Sequence, residues 1–235
     1  MGKKINALRE KQKNMVSILT PTYNRRAFIP GLIKCVMSQT YTNLEWVILD
    51  DGEEEIADLV VGIHFVRYIR LNCKLTLGEK RNRLNDLARG RILINFDTDD
   101  YHMPDRIAKS VAALDNSSCL IAGSSSMFIY YRKHGLFTTR HFNTNHATAG
   151  TFAYKRELLK ITRFEPTAKC AEERYWLKGY TIPMIQLDPR DTIIIGCHEA
   201  NTFDKTKLLG TKGLSETSVT LEKLGAVEFF ANHPK

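Results

Sequence analysis

The sequence has few cysteines and no long uninterrupted apolar run. Its five cysteines are widely spaced and include no CxxC pair, so we expect neither a disulfide framework nor a zinc site and favour a reducing compartment. Apolar runs such as residues 91–96 and 192–197 are far shorter than the ~20 residues of a membrane-spanning helix. The first 14 residues are polar, lack the apolar core of a secretory signal, and predict a loose arm or short helix. We therefore expect a cytoplasmic protein with no transmembrane segment.

The composition is that of a folded protein with an excess of positive charge. Of the 235 residues 43% are hydrophobic, which is enough for a core. The 34 Lys and Arg residues outnumber the 26 Asp and Glu residues, and the net charge of +8 favours an anionic partner such as a phosphorylated molecule. The basic residues are scattered and no nucleic-acid-binding motif is present, so we expect no nucleic-acid partner. The positive charge is also compatible with peripheral contact with an acidic membrane.

Strand and helix patterns alternate over residues 16–115. Such alternation predicts an α/β fold with a mostly parallel central sheet flanked by helices. The expected strands are 16–20, 44–49, 63–69 and 91–96, and the expected helices are 28–39, 77–89 and 104–114.

The second half of the chain is less regular. No linker divides it from the first, so residues 1–235 are expected to form a single domain: a regular half at about 16–115, an irregular half at about 116–205, and a tail at 206–235. Within the irregular half we expect strands at 119–123, 127–131, 151–154, 184–187 and 192–197, helices at 155–160 and 171–177, and a polar loop at 139–150.

Polar or acidic residues follow three of the expected strands. The first strand runs into residues 20–24, the second into Asp50 and Asp51, and the fourth into the acidic run 97–100. The carboxyl ends of parallel strands share one edge of a sheet, where ligands bind, so these segments should converge there. If the acidic run stays extended, Asp97 and Asp99 face the same side. Clustered carboxylates predict Mg²⁺ or Mn²⁺, although a lone Asp at a strand end often only caps a helix.

A basic segment, residues 78–83, opens one of the expected helices. Its amides and cationic side chains can face a phosphate group. The alternative is a solvated helix face with Glu–Lys pairs.

Four ordered motifs resemble glycosyltransferase family 2. They are residues 17–25, 38–52, 78–82 and 95–104. The resemblance implies a GT-A fold and an inverting transfer of sugar from a nucleotide-diphosphate sugar, with a UDP-sugar as the default donor. It also implies a Mn²⁺ or Mg²⁺ cofactor, a Rossmann-like nucleotide-binding half at 16–115, and an acceptor-binding half that takes a glycan, a lipid-linked sugar or a small molecule.

The resemblance assigns roles to individual residues. Asp51 is favoured over Asp50 for the base and ribose. Asp99 or Asp100 reaches the metal, and His198, which follows an apolar strand, is a further metal candidate. The residues placed at the nucleotide-sugar are Pro21, Tyr23, Arg25, Asp50, Asp51, Lys80, Arg81, Asp97, Thr98 and Asp99.

Residues 170–177 resemble the acidic motif that carries the family's catalytic base. The base is the second acid of that motif, usually an Asp, and this sequence has Glu173 there. We therefore expect Glu173 to be the base and keep Glu172 in reserve.

Two other functions fit parts of the same pattern. A nucleotidyltransferase acting on sugar phosphates shares the acids and the metal, but it needs a glycine-rich basic phosphate loop, and residues 20–26 contain no glycine. A catalytically weak protein that binds nucleotide-sugar is also compatible, because the acids can serve binding alone.

Overall fold

A computed structural model describes residues 14–141, 143–167, 172–199, 201 and 203–234. The arm expected at the start of the chain lies almost entirely outside these residues. Residue 171, the expected first residue of a helix, also lies outside them, as does Cys170. Among the described residues, none of the helices combines the length and the hydropathy needed to cross a bilayer.

The first half alternates strands and helices, as predicted. Its elements are β1 (Val16–Thr22), α1 (Ile29–Met37), β2 (Leu44–Asp50), α2 (Ala57–Val60), β3 (Val66–Arg70), α3 (Leu77–Leu87), β4 (Ile92–Asn95), β5 (Asp100–His102) and α4 (Arg106–Asp115).

The second half has shorter elements. They are β6 (Ile121–Gly123), β7 (Phe128–Tyr131), β8 (Gly135–Thr139), β9 (Ala153–Lys155), α5 (Glu172–Trp176), β10 (Ile185–Gln186), β11 (Ile193–Cys197), β12 (Leu214–Glu216) and α6 (Val227–Ala231). The helix expected at 155–160 is a 3₁₀ helix over Arg156–Lys160.

The central sheet has seven strands in the order β10-β6-β9-β4-β1-β2-β3. Strand β1 lies parallel to both β2 and β4, and β2 lies parallel to β3, whereas β9 runs antiparallel to β4 and β6. The predicted mostly parallel sheet is therefore confirmed. Since β1, β2 and β4 are adjacent and parallel, the polar segments that follow them emerge at one edge.

Side chains bury both faces of this sheet, which explains why its central strands are almost continuously apolar. On one face, Trp46 and Ile94 pack with residues of α1 and α4, such as Leu32. On the other face, Leu49 and Trp176 belong to a second cluster that includes residues of α3 and α5.

A second sheet of five strands, in the order β12-β8-β7-β11-β5, meets the first at the acidic run. The chain turns at Thr98 and Asp99 instead of staying extended, and Asp100 begins β5. Strand β5 then pairs antiparallel with β11. This turn is why Asp97 and Asp99 face different neighbours, and not the same side as an extended chain predicts.

The last residues fold back onto the second sheet. Phe230 of α6 is buried in a cluster with Phe128 and Ile194. The segment expected as a tail thus brings His233 beside the acidic turn, where its Nε2 lies 2.9 Å from the carbonyl oxygen of Asp99.

Candidate active site

A buried ion pair links the ends of β1 and β2 to the start of α3. Lys80 Nζ donates to Asp51 Oδ1 at 2.7 Å and to the carbonyl of Thr22 at 3.3 Å. The other oxygen of Asp51 accepts from the amide of Leu75 at 2.7 Å. Helix α3 is held at this point by a capping box, in which Thr76 and Glu79 satisfy each other's backbone amides. The structure therefore brings Asp51 and Lys80, two of the residues expected at the nucleotide-sugar, into direct contact.

Asp50 faces a different set of groups from Asp51. It accepts from the hydroxyl of Tyr68 at 2.6 Å and from the amide of Gly52 at 3.0 Å, and Arg70 Nη1 lies 3.5 Å away. Burial and this hydrogen bond to Asp50 raise the pKa of Tyr68 to about 12. Through these contacts, Asp50 links the end of β2 to β3 and to the turn that follows β2.

The loop after β1 presents an aromatic ring and a strained turn. Lys74 Nζ lies 3.9 Å from the centroid of the Tyr23 ring, within cation–π distance. Asn24 has a positive φ of 52°, and its side-chain oxygen accepts from the amide of Glu53 at 2.7 Å. Arg25 lies over the ring of Phe28. Pro21, expected in the loop, instead lies buried within β1.

Arg81 connects the acidic turn to the acids of α5. Its Nη2 donates to Asp97 at 3.2 Å, and its Nε lies 3.6 Å from Glu172 Oε1. Burial alone would lower the pKa of Arg81, but the charges of Asp97 and Glu172 outweigh burial and raise it. Within the described part of the chain, the buried Nη1 of Arg81 has no hydrogen-bond partner. The guanidinium thus has capacity for another anionic group.

Glu173 follows Glu172 in α5 and is held by a segment of the second half of the chain. Its carboxylate accepts from the amide of Ala149 at 3.1 Å. Burial, and then the neighbouring charge of Glu172, raise the pKa of Glu173. Gly150 follows Ala149 in the chain, and a methyl group placed on Gly150 would lie 3.2 Å from Asp97 Oδ2. The segment that holds Glu173 therefore also borders Asp97.

Asp99 and His198 meet where the two sheets join. Asp99 Oδ2 lies 2.9 Å from His198 Nε2, and the amide of His198 donates to Asn201 Oδ1 at 2.9 Å. Burial would raise the pKa of Asp99, but the hydrogen bond to His198 and the charge of Lys205 overcome it, and the pKa falls to about 2. Asp99 is therefore ionised at neutral pH.

Asp100 is buried beside these charges. Burial, followed by the charges of Asp99 and Asp97, raises the pKa of Asp100 well above its usual range. Thr98 is also buried, in the turn between the acids. The surroundings of Asp99 thus favour its charged form, whereas those of Asp100 favour its protonated form.

Asp99 and His198 offer a carboxylate oxygen and an imidazole nitrogen, two donor types that bind divalent cations. Adjacent ligands of an octahedral ion with bonds of about 2.1 Å lie about 3 Å apart, close to the 2.9 Å between Asp99 Oδ2 and His198 Nε2. Among the residues with described positions, no group of three or more His, Cys, Asp or Glu side chains is arranged to hold a metal. A cation held by Asp99 and His198 would therefore need further ligands from substrate or water.

Sequence reasoning missed several residues of this region. Arg106 and His102 lie beneath the acidic turn, and His233 lies against its outer side. His102 lies within the motif at 95–104, but its residue type gives it no role there, and Arg106 and His233 lie outside the motifs. For Arg106, the signal in the sequence is a charged residue at the buried first turn of an amphipathic helix.

Solved structures share this architecture. The crystal structure of S. aureus TarS in complex with UDP matches with a TM-score of 0.65 at 20% identity, covering 77% of this chain and 60% of that chain. The mannosyltransferase PcManGT from Pyrobaculum calidifontis, in complex with GDP-Man and Mn²⁺, matches with a TM-score of 0.64 at 16% identity, covering 80% and 58% of the two chains. The fold is that of the GT-A glycosyltransferases.

The sequence identifies the family within that fold. The family model described as glycosyl transferase family 2 matches residues 17–179, and the chain belongs to this family. A relative from Haemophilus influenzae, named an uncharacterized glycosyltransferase, is 32% identical over 104 residues, which cover 44% of this chain and 35% of the relative. The chain spans between 35% and 51% of the length of the first curated relatives it matches.

Proposed function

We propose that this chain is a metal-dependent inverting glycosyltransferase. It would move a sugar from a nucleotide-diphosphate sugar, with a UDP-sugar as donor, to a hydroxyl of a glycan, a lipid-linked sugar or a small molecule. One observation carries the proposal. Arg81 lies between Asp97 and Glu172, so the donor-side acids and the acids of α5 belong to one connected cluster.

The nucleotide is assigned to the ends of β1 and β2. The half-buried Tyr23 ring offers a stacking surface, and the Asp51–Lys80 pair lies beside it, with Lys80 Nζ 5.6 Å from the ring centroid. Arg81 is assigned to an anionic group of the donor, because its Nη1 has no hydrogen-bond partner among the described residues. TarS was solved with UDP bound, which supports a UDP-sugar as the first donor to test.

We assign the diphosphate leaving group to a cation held by Asp99 and His198. Mn²⁺ or Mg²⁺ bound there would act as a Lewis acid toward the phosphate oxygens. Asp99 suits this position because its low pKa keeps it ionised. The Mn²⁺ in the PcManGT structure supports a metal requirement in this fold.

Glu173 is assigned the role of general base. An acceptor hydroxyl attacks the anomeric carbon from the face opposite the leaving group, and Glu173 takes the hydroxyl proton. A single displacement of this kind inverts the anomeric centre. The raised pKa of Glu173 makes it a stronger base than an ordinary carboxylate, while the amide of Ala149 holds it in place. Glu172, paired with Arg81, stays in reserve.

The test compares Glu173→Gln with the wild-type chain on a panel of UDP- and GDP-sugars with Mn²⁺. Loss of the base should lower turnover by about 100-fold or more, while calorimetry shows unchanged donor affinity. Glu157→Gln, an exposed change on the 3₁₀ helix at 156–160, is the matched control and should keep wild-type turnover.

Two results would contradict the proposal. Near-normal turnover of Glu173→Gln would eliminate Glu173 as the base, and Glu172→Gln would then be tested in its place. Release of pyrophosphate from a nucleoside triphosphate and a sugar phosphate, without transfer from any nucleotide-sugar, would identify a nucleotidyltransferase instead.

A further inference from the structure

Arg106 is a fully buried cation directly beneath the acidic turn. It has 0% exposure, and its Nη2 donates to the carbonyl of Asn95 at 2.8 Å and to the carbonyl of Gly150 at 2.7 Å. Burying a charge is costly unless hydrogen bonds compensate it, so an arginine held by backbone carbonyls in a core has a specific structural task. The two carbonyls it joins belong to segments far apart in the sequence.

A histidine extends this contact to the acidic turn itself. Arg106 Nη1 hydrogen-bonds to His102 Nδ1, and His102 Nε2 lies 2.9 Å from the carbonyl oxygen of Asp97. Because a guanidinium can only donate, Nδ1 must accept, and the ring hydrogen must reside on Nε2. His102 therefore donates to Asp97. Its ring is stacked on Phe96 at 4.0 Å between centroids, which fixes its orientation.

The two segments joined by Arg106 serve different roles in the proposed reaction: one carries the donor-side acids, and the other holds the general base. Asn95 and Asp97 lead into the donor-side turn. Gly150 follows Ala149, whose amide holds Glu173. We propose that Arg106, acting with His102, is a positioning residue that fixes the separation between the donor-side acids and the general base. This inference rests on the proposed function.

The expected effect follows from how steeply group transfer depends on geometry. Misplacing reacting groups by about 1 Å can cost about 100-fold in rate. The contacts of Asp51, Lys80 and Tyr23 do not involve Arg106, so the nucleotide site should survive its loss. A positioning role therefore lowers turnover far more than donor affinity.

The test uses Arg106→Lys, which keeps the charge but cannot bridge both carbonyls and His102. We expect kcat to fall about 30- to 100-fold, while the donor Kd measured without Mn²⁺ changes less than about threefold. Lys109→Met is the matched control: it lies one turn further along α4, is half exposed, and should keep wild-type kcat. A general loss of packing would instead weaken donor binding and turnover together.

Amide hydrogen exchange of the unligated protein gives a readout that is independent of activity. Segments 95–100 and 147–152 should both exchange at least about tenfold faster in Arg106→Lys, while β1 and β2 remain protected. If a wild-type chain transfers no sugar, the proposed function fails, but the exchange measurement still decides whether Arg106 holds these two segments.

His102→Leu provides the second variant and decides the matter if Arg106→Lys does not fold. It removes the bond to Asp97 but leaves the bonds from Arg106 to Asn95 and Gly150, so exchange should accelerate in segment 95–100 alone. The inference is overturned if neither variant changes exchange in these segments. It is also overturned if Arg106→Lys keeps wild-type kcat, or if the donor Kd measured without Mn²⁺ rises as much as kcat falls.

Discussion

Lys80 and Asp51 form an ion pair that is closed to solvent. Their side chains are 8% and 0% exposed, and the charged atoms are 2.7 Å apart. Removing one charge from a buried pair leaves the other desolvated and uncompensated, which is far more costly than losing an exposed pair. The contact between the end of β2 and the start of α3 is therefore stable only when both charges are present.

We expect Lys80→Met to lower the free energy of unfolding by about 3–5 kcal/mol, because the Asp51 carboxylate stays buried without its partner. Adding Asp51→Asn should restore part of that loss by removing the orphaned charge. Urea unfolding of both single variants and the double variant measures the coupling. Lys109→Met, which breaks the more exposed pair with Asp191, should cost at most about 1 kcal/mol. Equal losses in Lys80→Met and Lys109→Met would contradict the prediction.

Asp99→Asn should remove the enhancement of UDP affinity by Mn²⁺, since it deletes the charge proposed to bind the cation. His198→Ala should weaken the enhancement as well. Calorimetric titration of UDP with and without Mn²⁺ measures both effects. Asp191→Asn, which changes a carboxylate paired with Lys109 on the surface, is the control and should retain the enhancement. If Asp99→Asn retains it too, Asp99 is not a metal ligand.

The activity of Glu172→Gln should extend to lower pH than that of the wild type. The Glu172 charge raises the pKa of Glu173, so removing that charge lowers this pKa. A base with a lower pKa is ionised at lower pH, and the acidic limb of the kcat profile moves down. Glu157→Gln should leave the limb in place. A shift of the Glu172→Gln limb toward higher pH would refute the assignment of Glu173 as the titrating base.

Gly52→Ala should destabilise the protein and displace the loop that carries Tyr23. A methyl group at Gly52 would lie 2.5 Å from the backbone nitrogen of Asn24, so the backbone must move. We expect a loss of about 1–3 kcal/mol in urea unfolding together with weaker UDP binding. Gly213→Ala, whose nearest atom outside its neighbours is 3.8 Å away, provides the comparison and should change neither quantity.

The sequence predicts the central sheet well because burial of both faces leaves a strong apolar pattern. Strands β1 and β2 begin at the predicted residues and extend one or two residues further. Strand β5 was not expected, because Asp100–His102 is polar and becomes a strand only by pairing with β11. Helix α6 was missed for a similar reason, since its five residues are too few for a clear helical period.

The candidate site was predictable where it follows motifs and not where it depends on tertiary contacts. The acids after β2 and β4, and the cations of α3, lie in recognisable segments. The turn at Thr98 and Asp99, which separates the neighbours of Asp97 from those of Asp99, arises because β5 joins another sheet. Likewise, Arg106 gains its position from the carbonyls of Asn95 and Gly150, which only the folded chain brings together.

The fold-back of the C-terminal segment has a practical consequence for purification. His233 touches the carbonyl of Asp99, and its ring centroid is 5.4 Å from that of His198. An oligohistidine tag fused just beyond this point would tether competing imidazoles next to the proposed cation site. Such a tag would compete for Mn²⁺ or carry nickel into an assay, so an affinity handle should be kept away from His233 or be removed by cleavage.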